Sequence, residues 1–563
     1  MVNVYSTRLY YSASTGLLTK VRYGGSYDVN YTYDGNGRIT KTTDWIDGTD
    51  GMRLAFDNAG RITTITDYGD RTLTYVYDAA GQVTSMTDYH GKTTSYSYYP
   101  TGQISGLTAP GSKVWSYNYN DIGQTTQYTH PNGTTTNYGY DGQHRLTSIH
   151  HMDGGTVLDS FGYWLNDAGN IYITIQQDDS YWAYEYDSAN RLTLAQRRTD
   201  EQGILKQFNY TYDLADNMTT KAVYVPGSGT TTTVYTFNNG NEAVNQVVNG
   251  SSTTNFTYDD WGRTLSKVRD GSTSESYTYR YGGKLYSVTT NFPANSNSTY
   301  EYRGDGRMYS RANGGTTTRF NYGAGWQVLT EEATNGTLQM SYVHDFTTPT
   351  GRVLADIAGT DPATGAARYY YHDNIDSTRR LRDANKTSLA QYEFDPYGLT
   401  YAASGADTPY RWGPYRADLS NSMYYTPNRW YVPMQARWLT RDPLGMVDGP
   451  NVYAYVKNRP IGWRDVLGLL VCPPWGCHGP DDDDDGDDDG PGTSKHIPPD
   501  NVIIFPPGDE EQQGKMAACV IVCVIVAGAV VCAPAEAGAC VVVGGILVCL
   551  MPEPPEDPES PES

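Results

Sequence analysis

The chain has 563 residues, with 51 tyrosines and 59 glycines but only 10 phenylalanines, and charged residues make up 18%. This length suits several domains or a repeat array, and the composition favours strands and tight turns over a helical bundle or coiled coil. The net charge of −22 is concentrated after residue 469, where 18 acidic and 2 basic side chains lie, so the body lacks the basic surface of a nucleic-acid binder and no nucleic-acid partner is predicted.

The N-terminus gives no sign of an export signal. Residues 1–5 lack the basic segment and following apolar run of a signal peptide. We therefore expect either another export route or a natural start upstream of Met1.

A regular repeat then runs through the first half of the chain. In the stronger copies an aromatic residue is usually followed by Asp, and then by Gly with Arg or Gln after it, except that His144 stands in place of the Gly in the copy at Tyr140. The copies begin at Tyr33, Phe56, Tyr77, Tyr98, Tyr119 and Tyr140, with weaker ones at Tyr186, Tyr212, Tyr258 and Tyr302. A fixed spacing of this kind, about 20 residues or slightly more, is typical of repeat architectures.

Each repeat unit predicts two strands and two turns. The Asp-x-x-Gly segments have the residues of tight turns, since Asp caps its own backbone and Gly tolerates positive φ. Alternating stretches such as residues 72–77 place tyrosine and aliphatic residues on one face and threonine on the other. One unit cannot bury its apolar face alone, so we predict an all-β fold in which antiparallel strands spiral into a large hollow shell.

These Tyr-Asp units resemble the YD repeats of Rhs proteins, which are also found in Tc toxin C components and teneurins. A second block is similar to the Rhs repeat-associated core, and it comprises residues 369–379, 392–398, 429–431, 437–445, 451–460 and 463–469. The resemblance covers roughly residues 20–469. It implies a β-cocoon from 1 to 359 and a self-cleaving core from 360 to 469.

The resemblance also implies a function and its partners. We expect a bacterial polymorphic-toxin carrier, secreted or on the cell surface, that encloses its own C-terminal tail. A secretion apparatus and an immunity protein are the expected further partners. The alternative is a non-enzymatic surface or adhesion protein in which the core protease is inactive and the repeats form a binding wall.

The cleavage site follows from the same resemblance. Similar cores are cut after the leucine of their second Asp-Pro-x-Gly-Leu element, which is here the Leu469–Leu470 bond. The matching catalytic residues are Asp442 and Asp465, with Arg429 nearby. Two carboxylates that share a proton can supply the base and the acid of peptide hydrolysis, without a cofactor or a metal ion.

One departure from the family pattern bears on the expected activity. Val466 stands where the family has proline, and without proline's fixed φ the Asp465 carboxylate could move away from the bond. A competing interpretation is that Asp442 and Asp465 only cap turns, and that Arg429 forms a structural salt bridge. The expected enzyme is therefore a single-turnover aspartyl-type protease acting on its own chain, or an inactive descendant of one.

The tail divides into an acidic, proline-rich linker at 470–515, an apolar segment at 516–551 and an acidic, proline-rich end at 552–563. We predict a disordered linker. All seven cysteines lie in the tail, and they fit neither a disulfide framework nor a zinc site. The apolar segment predicts a membrane-active hairpin, a tail packed against the tyrosine-lined wall, or a cysteine-dependent or enzymatic toxin.

Overall fold

The computed structural model describes residues 7–471 except 25, 47, 68, 292–295 and 346–349, together with four short strands near the C-terminus. The described residues contain strands and two short 3₁₀ segments, at Tyr281–Gly283 and Val456–Asn458. The fold is the all-β, antiparallel shell that the repeats predict, because its main sheet has 36 strands and every pair of neighbours is antiparallel in a simple up-and-down order.

The main sheet alternates strands and tight turns along the whole repeat region. Its first half consists of β1 (Thr7–Tyr11), β2 (Leu18–Tyr23), β3 (Tyr27–Tyr33), β4 (Ile39–Thr43), β5 (Met52–Phe56), β6 (Ile62–Thr66), β7 (Thr72–Tyr77), β8 (Val83–Thr87), β9 (Thr93–Tyr98), β10 (Ile104–Ala109), β11 (Lys113–Tyr119), β12 (Thr125–Thr129), β13 (Thr135–Tyr140), β14 (Leu146–Asp153), β15 (Thr156–Leu165), β16 (Ile171–Gln176), β17 (Tyr181–Tyr186) and β18 (Leu192–Arg198). Its second half consists of β19 (Ile204–Tyr212), β20 (Met218–Val225), β21 (Gly229–Phe237), β22 (Ala243–Val248), β23 (Ser252–Tyr258), β24 (Thr264–Arg269), β25 (Ser272–Arg280), β26 (Lys284–Thr290), β27 (Ser296–Tyr302), β28 (Met308–Asn313), β29 (Thr316–Tyr322), β30 (Val328–Ala333), β31 (Leu338–His344), β32 (Val353–Ala358), β33 (Ala366–His372), β34 (Thr378–Arg382), β35 (Ser388–Phe394) and β36 (Thr400–Gly405).

The repeat motif forms a self-contained turn. In one unit, Asp57 Oδ1 accepts the backbone N–H of Arg61 at 2.9 Å, and its Oδ2 accepts the Arg61 Nε–H at 2.7 Å. Gly60 has φ +85°, which an L side chain rarely adopts. The Arg61 guanidinium then lies 4.5 Å from the centroid of the Tyr77 ring in the next unit. Each turn is thereby tied to its neighbour.

The repeat tyrosines provide a second tie. The hydroxyls of six of them, and that of Tyr279, donate to the backbone carbonyl 15 residues earlier, at 2.5–3.1 Å, in the pairs Tyr33–Leu18, Tyr77–Ile62, Tyr98–Val83, Tyr140–Thr125, Tyr186–Ile171, Tyr258–Ala243 and Tyr279–Thr264. A tyrosine thus packs its ring on the sheet and satisfies its hydroxyl at the same time.

The sheet spirals, and a later part of it lies beside an earlier one. The Trp45 indole N–H donates to the Tyr302 carbonyl at 3.1 Å, and Arg71 forms an ion pair with Glu332 at 2.6 Å. Further along, the Lys221 ammonium lies 2.8 Å from the Asp395 carboxylate. The sequence separation between partners is 257 residues for Trp45 and Tyr302, 261 for Arg71 and Glu332, and 174 for Lys221 and Asp395, so the last contact closes a shorter stretch of the sheet.

A small second sheet packs against the later strands of the main sheet, and it has strands β37 (Arg416–Asp418), β38 (Met423–Tyr425), β39 (Trp430–Val432) and β40 (Arg437–Trp438). Its aromatic side chains pack together around Tyr431, whose ring centroid lies 4.3 Å from that of Tyr455. The Tyr453 hydroxyl donates to the Gly262 carbonyl of the main sheet at 2.6 Å, and the Thr264 hydroxyl donates to the Leu439 carbonyl at 2.9 Å. These contacts fix the small sheet and the irregular segment that follows it.

The predicted domain boundaries stay predictions. The main sheet continues to Gly405, past the expected boundary at residue 359. The predicted linker, apolar segment and acidic end lie outside the described residues, except for residues 470–471 and strands β41 (Val524–Val526), β42 (Ala529–Val531), β43 (Cys540–Val543) and β44 (Ile546–Cys549). These strands pair as β41–β42 and β43–β44. Within the described part of the chain, no helix has the length and apolar character needed to cross a membrane.

Candidate functional site

The candidate site is built around Arg429, which precedes β39 and is only 4% exposed. A tight turn holds its backbone, because the Thr426 N–H and hydroxyl both donate to the Arg429 carbonyl, at 3.0 and 2.8 Å. The guanidinium carbon lies 4.2 Å from the centroid of the Trp438 ring. The cation is therefore fixed by its own turn and by an aromatic face.

Both predicted aspartates meet this cation. Arg429 Nη2 lies 2.7 Å from Asp442 Oδ2 and 2.7 Å from Asp465 Oδ2. The two carboxylate oxygens therefore lie no farther apart than twice that distance. Asp465 is fully buried and the Asp442 side chain is 6% exposed, so the structure brings together in one place two carboxyls from separate loops of the chain.

The predicted scissile bond lies against the same group of side chains. Asp465 Oδ1 accepts the backbone N–H of Leu469 at 2.8 Å and that of Leu470 at 3.2 Å. Arg429 Nε donates to the Gly468 carbonyl at 2.7 Å. The nitrogen of the Leu469–Leu470 bond is thus within hydrogen-bonding distance of a buried carboxyl, and the residues before the bond are held by the arginine.

A tight turn over residues 465–469 produces this arrangement. Gly468 has φ +69°, and a Cβ there would lie 2.2 Å from the Thr426 hydroxyl, so only glycine fits without rearrangement. The Asp465 N–H donates to the Tyr415 hydroxyl at 2.9 Å. Val466, which replaces the proline of the family pattern, is 2% exposed, and Asp465 still reaches the bond with valine at this position.

Burial sets the protonation of the pair. Loss of water raises the pKa of Asp442 to about 7 and that of Asp465 to about 6, although Arg429 opposes both shifts by favouring the charged forms. Like-charge repulsion from Asp465 adds to the raised pKa of Asp442. Near neutral pH the pair therefore holds about one proton, which belongs to the pair as a unit.

The sequence interpretation missed a third carboxylate at the site. Asp448 Oδ2 accepts the backbone N–H of Val471 at 2.9 Å, two residues beyond the predicted cut. Asp448 follows Asp442 by six residues, and this proximity was the one signal in the sequence. Among the residues that the structure describes, no cluster of three or more His, Cys, Asp or Glu side chains is arranged to hold a metal ion.

The competing interpretation of the aspartates also has a structural counterpart. Asp442 Oδ1 accepts the Leu444 N–H at 2.8 Å, as a turn-capping aspartate does. The same side chain nevertheless directs its second oxygen to Arg429. Capping and the pairing with Asp465 are therefore compatible.

Known proteins share the repeats and the fold. A family profile of the RHS repeat matches residues 56–88, 77–114 and 119–157. Toxin subunit YenC1 of Yersinia entomophaga is 33% identical over 116 residues, which are 20% of this chain and 12% of that subunit. Toxin protein Tse5 of Pseudomonas aeruginosa is 30% identical over 113 residues, which are 20% of this chain and 9% of that toxin.

Solved structures are similar over most of the chain. The crystal structure of TcdB2–TccC3–Cdc42 matches with a TM-score of 0.61 and 21% identity, covering 82% of this chain and 25% of that one. At this identity the likeness shows the fold alone, which is the shell of a Tc toxin. The matched segments are a small share of the much longer relatives. The repeats, the toxin relatives and the shell fold together show that this chain contains RHS repeats and is related to Tc toxin subunits and Rhs-type toxins.

Proposed function

We propose that this chain is an Rhs-type toxin carrier that cuts its own backbone between Leu469 and Leu470 and releases residues 470–563 as a separate polypeptide. The observation that carries the proposal is the contact between Asp465 Oδ1 and the Leu470 nitrogen, beside a second buried carboxyl on the same arginine. Perturbed carboxyls that converge on one bond are typical of catalytic sites.

The chemistry needs only water and the pair. The ionised carboxyl of the pair takes a proton from a water molecule as the water oxygen attacks the Leu469 carbonyl carbon. The C–N bond then breaks, and the proton held by the pair reaches the Leu470 nitrogen through Asp465. The products are a carboxyl group at Leu469 and an amine at Leu470, and the pair has again one proton.

Tethering supports this reaction further. The substrate is the chain itself, and Asp465 lies four residues before the bond. Arg429 holds the Gly468 carbonyl on one side of the bond, and Asp465 holds the Leu469 and Leu470 amides. Positioning of this kind can replace the binding energy that an intermolecular protease must obtain from its substrate.

Carriage of the tail is the second part of the proposal. Leu470 is half-buried and the Val471 side chain packs against the main hydrophobic core, so the first two residues after the proposed cut are held by the body of the protein. Toxin relatives support a role outside the producing cell, and we infer that the shell encloses the tail until delivery. A secretion apparatus, an immunity protein and membrane contact by the tail remain expectations of this proposal.

The direct test is the fate of the full chain. Freshly synthesised in a cell-free system at pH 6.5, the 62.3 kDa chain is expected to convert into a large body and a small separate tail on a denaturing gel. Mass spectrometry should find Leu470 as the new N-terminus of the tail. A chain that stays intact would contradict the proposal and favour the non-enzymatic surface protein, for which the turn-capping contact of Asp442 is the supporting observation.

The pH dependence of cleavage should follow the pair. Because burial raises the two pKa values to about 6 and about 7, the singly protonated pair is most abundant between them. We expect a bell-shaped rate profile with its maximum between pH 6 and 7, measured as the initial rate of tail formation at buffered pH values. A rate that rises steadily to pH 9 would show that a group other than this pair controls the reaction.

Restoring the family proline should accelerate the reaction. The Val466 N–H donates no hydrogen bond to any described residue, so proline removes no such bond there. Because proline limits φ and favours an extended Asp465, Val466→Pro is expected to raise the cleavage rate about two- to fivefold. The same time course measures it, and a slower variant would show that the valine geometry is the productive one.

A further inference from the structure

Asp448 lies on the far side of the candidate scissile bond, in the loop between β40 and the second 3₁₀ segment. A tight turn ends beside it, with the Gly449 N–H donating to the Met446 carbonyl at 3.0 Å. Its carboxylate accepts the Val471 N–H at 2.9 Å. The proposed acid–base chemistry does not use this side chain.

The two contacts around the bond are complementary. On the acyl side, Leu469 is 3% exposed and its N–H is held by Asp465. On the amine side, the Val471 side chain packs on the core and its N–H is held by Asp448. The chain is therefore held at Leu469, before the bond, and at Val471, the second residue after it. Contacts on both sides of a bond determine which peptide bond faces the catalytic groups.

Other contacts hold both ends of the loop that carries Asp448. At its start, the Asp442 N–H donates to the Val452 carbonyl at 2.9 Å. At its end, the Asn451 amide donates to the Ala215 carbonyl at 2.9 Å. The carboxylate is nonetheless partly buried, and loss of water raises its pKa against the opposing effects of the Val471 hydrogen bond and the charges of Lys457 and Arg429. Burial of a carboxylate is unfavourable unless hydrogen bonds compensate for it, so the bond from the Val471 N–H indicates that Asp448 holds this amide.

We propose that Asp448 is a positioning residue of the self-cleavage reaction, which holds the Val471 amide and thereby sets the amine side of the bond against the carboxyl pair. This inference rests on the proposed function. It assigns no proton transfer to Asp448, because the carboxylate contacts the chain two residues beyond the cut.

The first test compares two variants of the full chain. Asp448→Ala removes the acceptor, and its cleavage is expected to be about 10- to 100-fold slower than that of the wild type. Asp448→Asn keeps an oxygen that can accept the Val471 N–H, so its rate at its own pH optimum should stay within about threefold of the wild type. An alanine variant as fast as the wild type, or an asparagine variant as slow as alanine, would overturn the proposal.

The second test does not depend on cleavage. In the Asp442→Asn background, which should leave the chain intact, hydrogen exchange of the peptide around Val471 is measured by mass spectrometry. Adding Asp448→Ala should speed exchange of this amide roughly five- to tenfold, whereas adding Asp448→Asn should leave it protected. If the wild type does not cleave, the proposed function fails but this comparison still decides whether Asp448 holds the amide; equal exchange in all three chains would reject that contact.

Discussion

Asp465→Asn is expected to abolish release of the tail, with a loss of about 10²- to 10⁴-fold in the cleavage rate. Asparagine is nearly isosteric and its oxygen can still accept the Leu469 and Leu470 amides. It cannot, however, carry a proton to the leaving nitrogen. The precursor should therefore fold and accumulate intact, and Asp442→Asn should behave in the same way because it removes the other half of the pair. A time course on denaturing gels measures both variants.

The matched control is Asp418→Asn. Asp418 is also buried and forms an ion pair with an arginine, Arg311, at 2.8 Å, but it lies on the small sheet and makes no contact with the bond. Its replacement should leave the cleavage rate within about twofold of the wild type while lowering stability by an amount typical of a buried ion pair. If the control loses cleavage as completely as Asp465→Asn, the effect is one of folding. If Asp465→Asn cleaves at the wild-type rate, the carboxyl pair is not the catalyst.

The fold could be predicted because its determinants are local. The Asp and Arg of one repeat are four residues apart and close their own turn, as Asp57 and Arg61 show. The tyrosine that follows bonds to a strand 15 residues earlier. The regular period in the sequence therefore reflects interactions within a repeat and between neighbouring repeats. Repetition of these interactions produces the antiparallel sheet.

Contacts between the two passes of the spiral could not be predicted in this way. Arg71 pairs with Glu332, and the His151 ring bonds to the His372 carbonyl at 3.0 Å, across sequence separations of 261 and 221 residues. Nothing in either local segment indicates the other. The chain must first curve through the whole sheet before these groups meet, and the curvature is the sum of many small strand twists.

The site was predictable only in part, for a related reason. The resemblance selected Arg429, Asp442 and Asp465, whose side chains meet one another. Asp448 instead holds a backbone amide, and an interaction with a backbone group leaves no signal in residue types. The valine at 466 suggested a displaced carboxylate, but Arg429 and the Tyr415 hydroxyl hold Asp465 from other parts of the chain. These tertiary contacts thus hold Asp465 in place without the backbone restriction that a proline at position 466 would provide.

Removing the cation of the site should have the largest effect on stability. Arg429→Met leaves two buried carboxyls without their common partner, and we expect a loss of about 3–5 kcal/mol in the free energy of unfolding near pH 8. Cleavage should be lost as well, because the Gly468 carbonyl and both carboxyls lose the group that orients them. Denaturant titration followed by tryptophan fluorescence measures the stability, and gels measure the cleavage.

The loss should depend on pH in a defined direction. Burial raises the pKa of both carboxyls above the ordinary value of 3.8, so the folded protein holds these protons more tightly than the unfolded chain. A raised pKa stabilises the fold at low pH, and this contribution is lost as the pH rises through the folded pKa. Arg429 lowers both pKa values, so in the Arg429→Met variant the folded-state pKa values are higher and folding stability continues to fall with pH over a wider range. The substitution should therefore be more destabilising at pH 8 than at pH 5.

A double variant separates this electrostatic cause from simple loss of packing. Arg429→Met with Asp442→Asn buries one ionisable carboxyl instead of two, so it should recover part of the stability at pH 8 and little at pH 5. The methionine occupies the same place over Trp438 in both chains, which keeps the packing change constant. Equal losses at the two pH values, or a double variant no more stable than the single one, would mean that Arg429 stabilises the core by its contacts with Trp438 and the backbone rather than by neutralising the carboxyl pair.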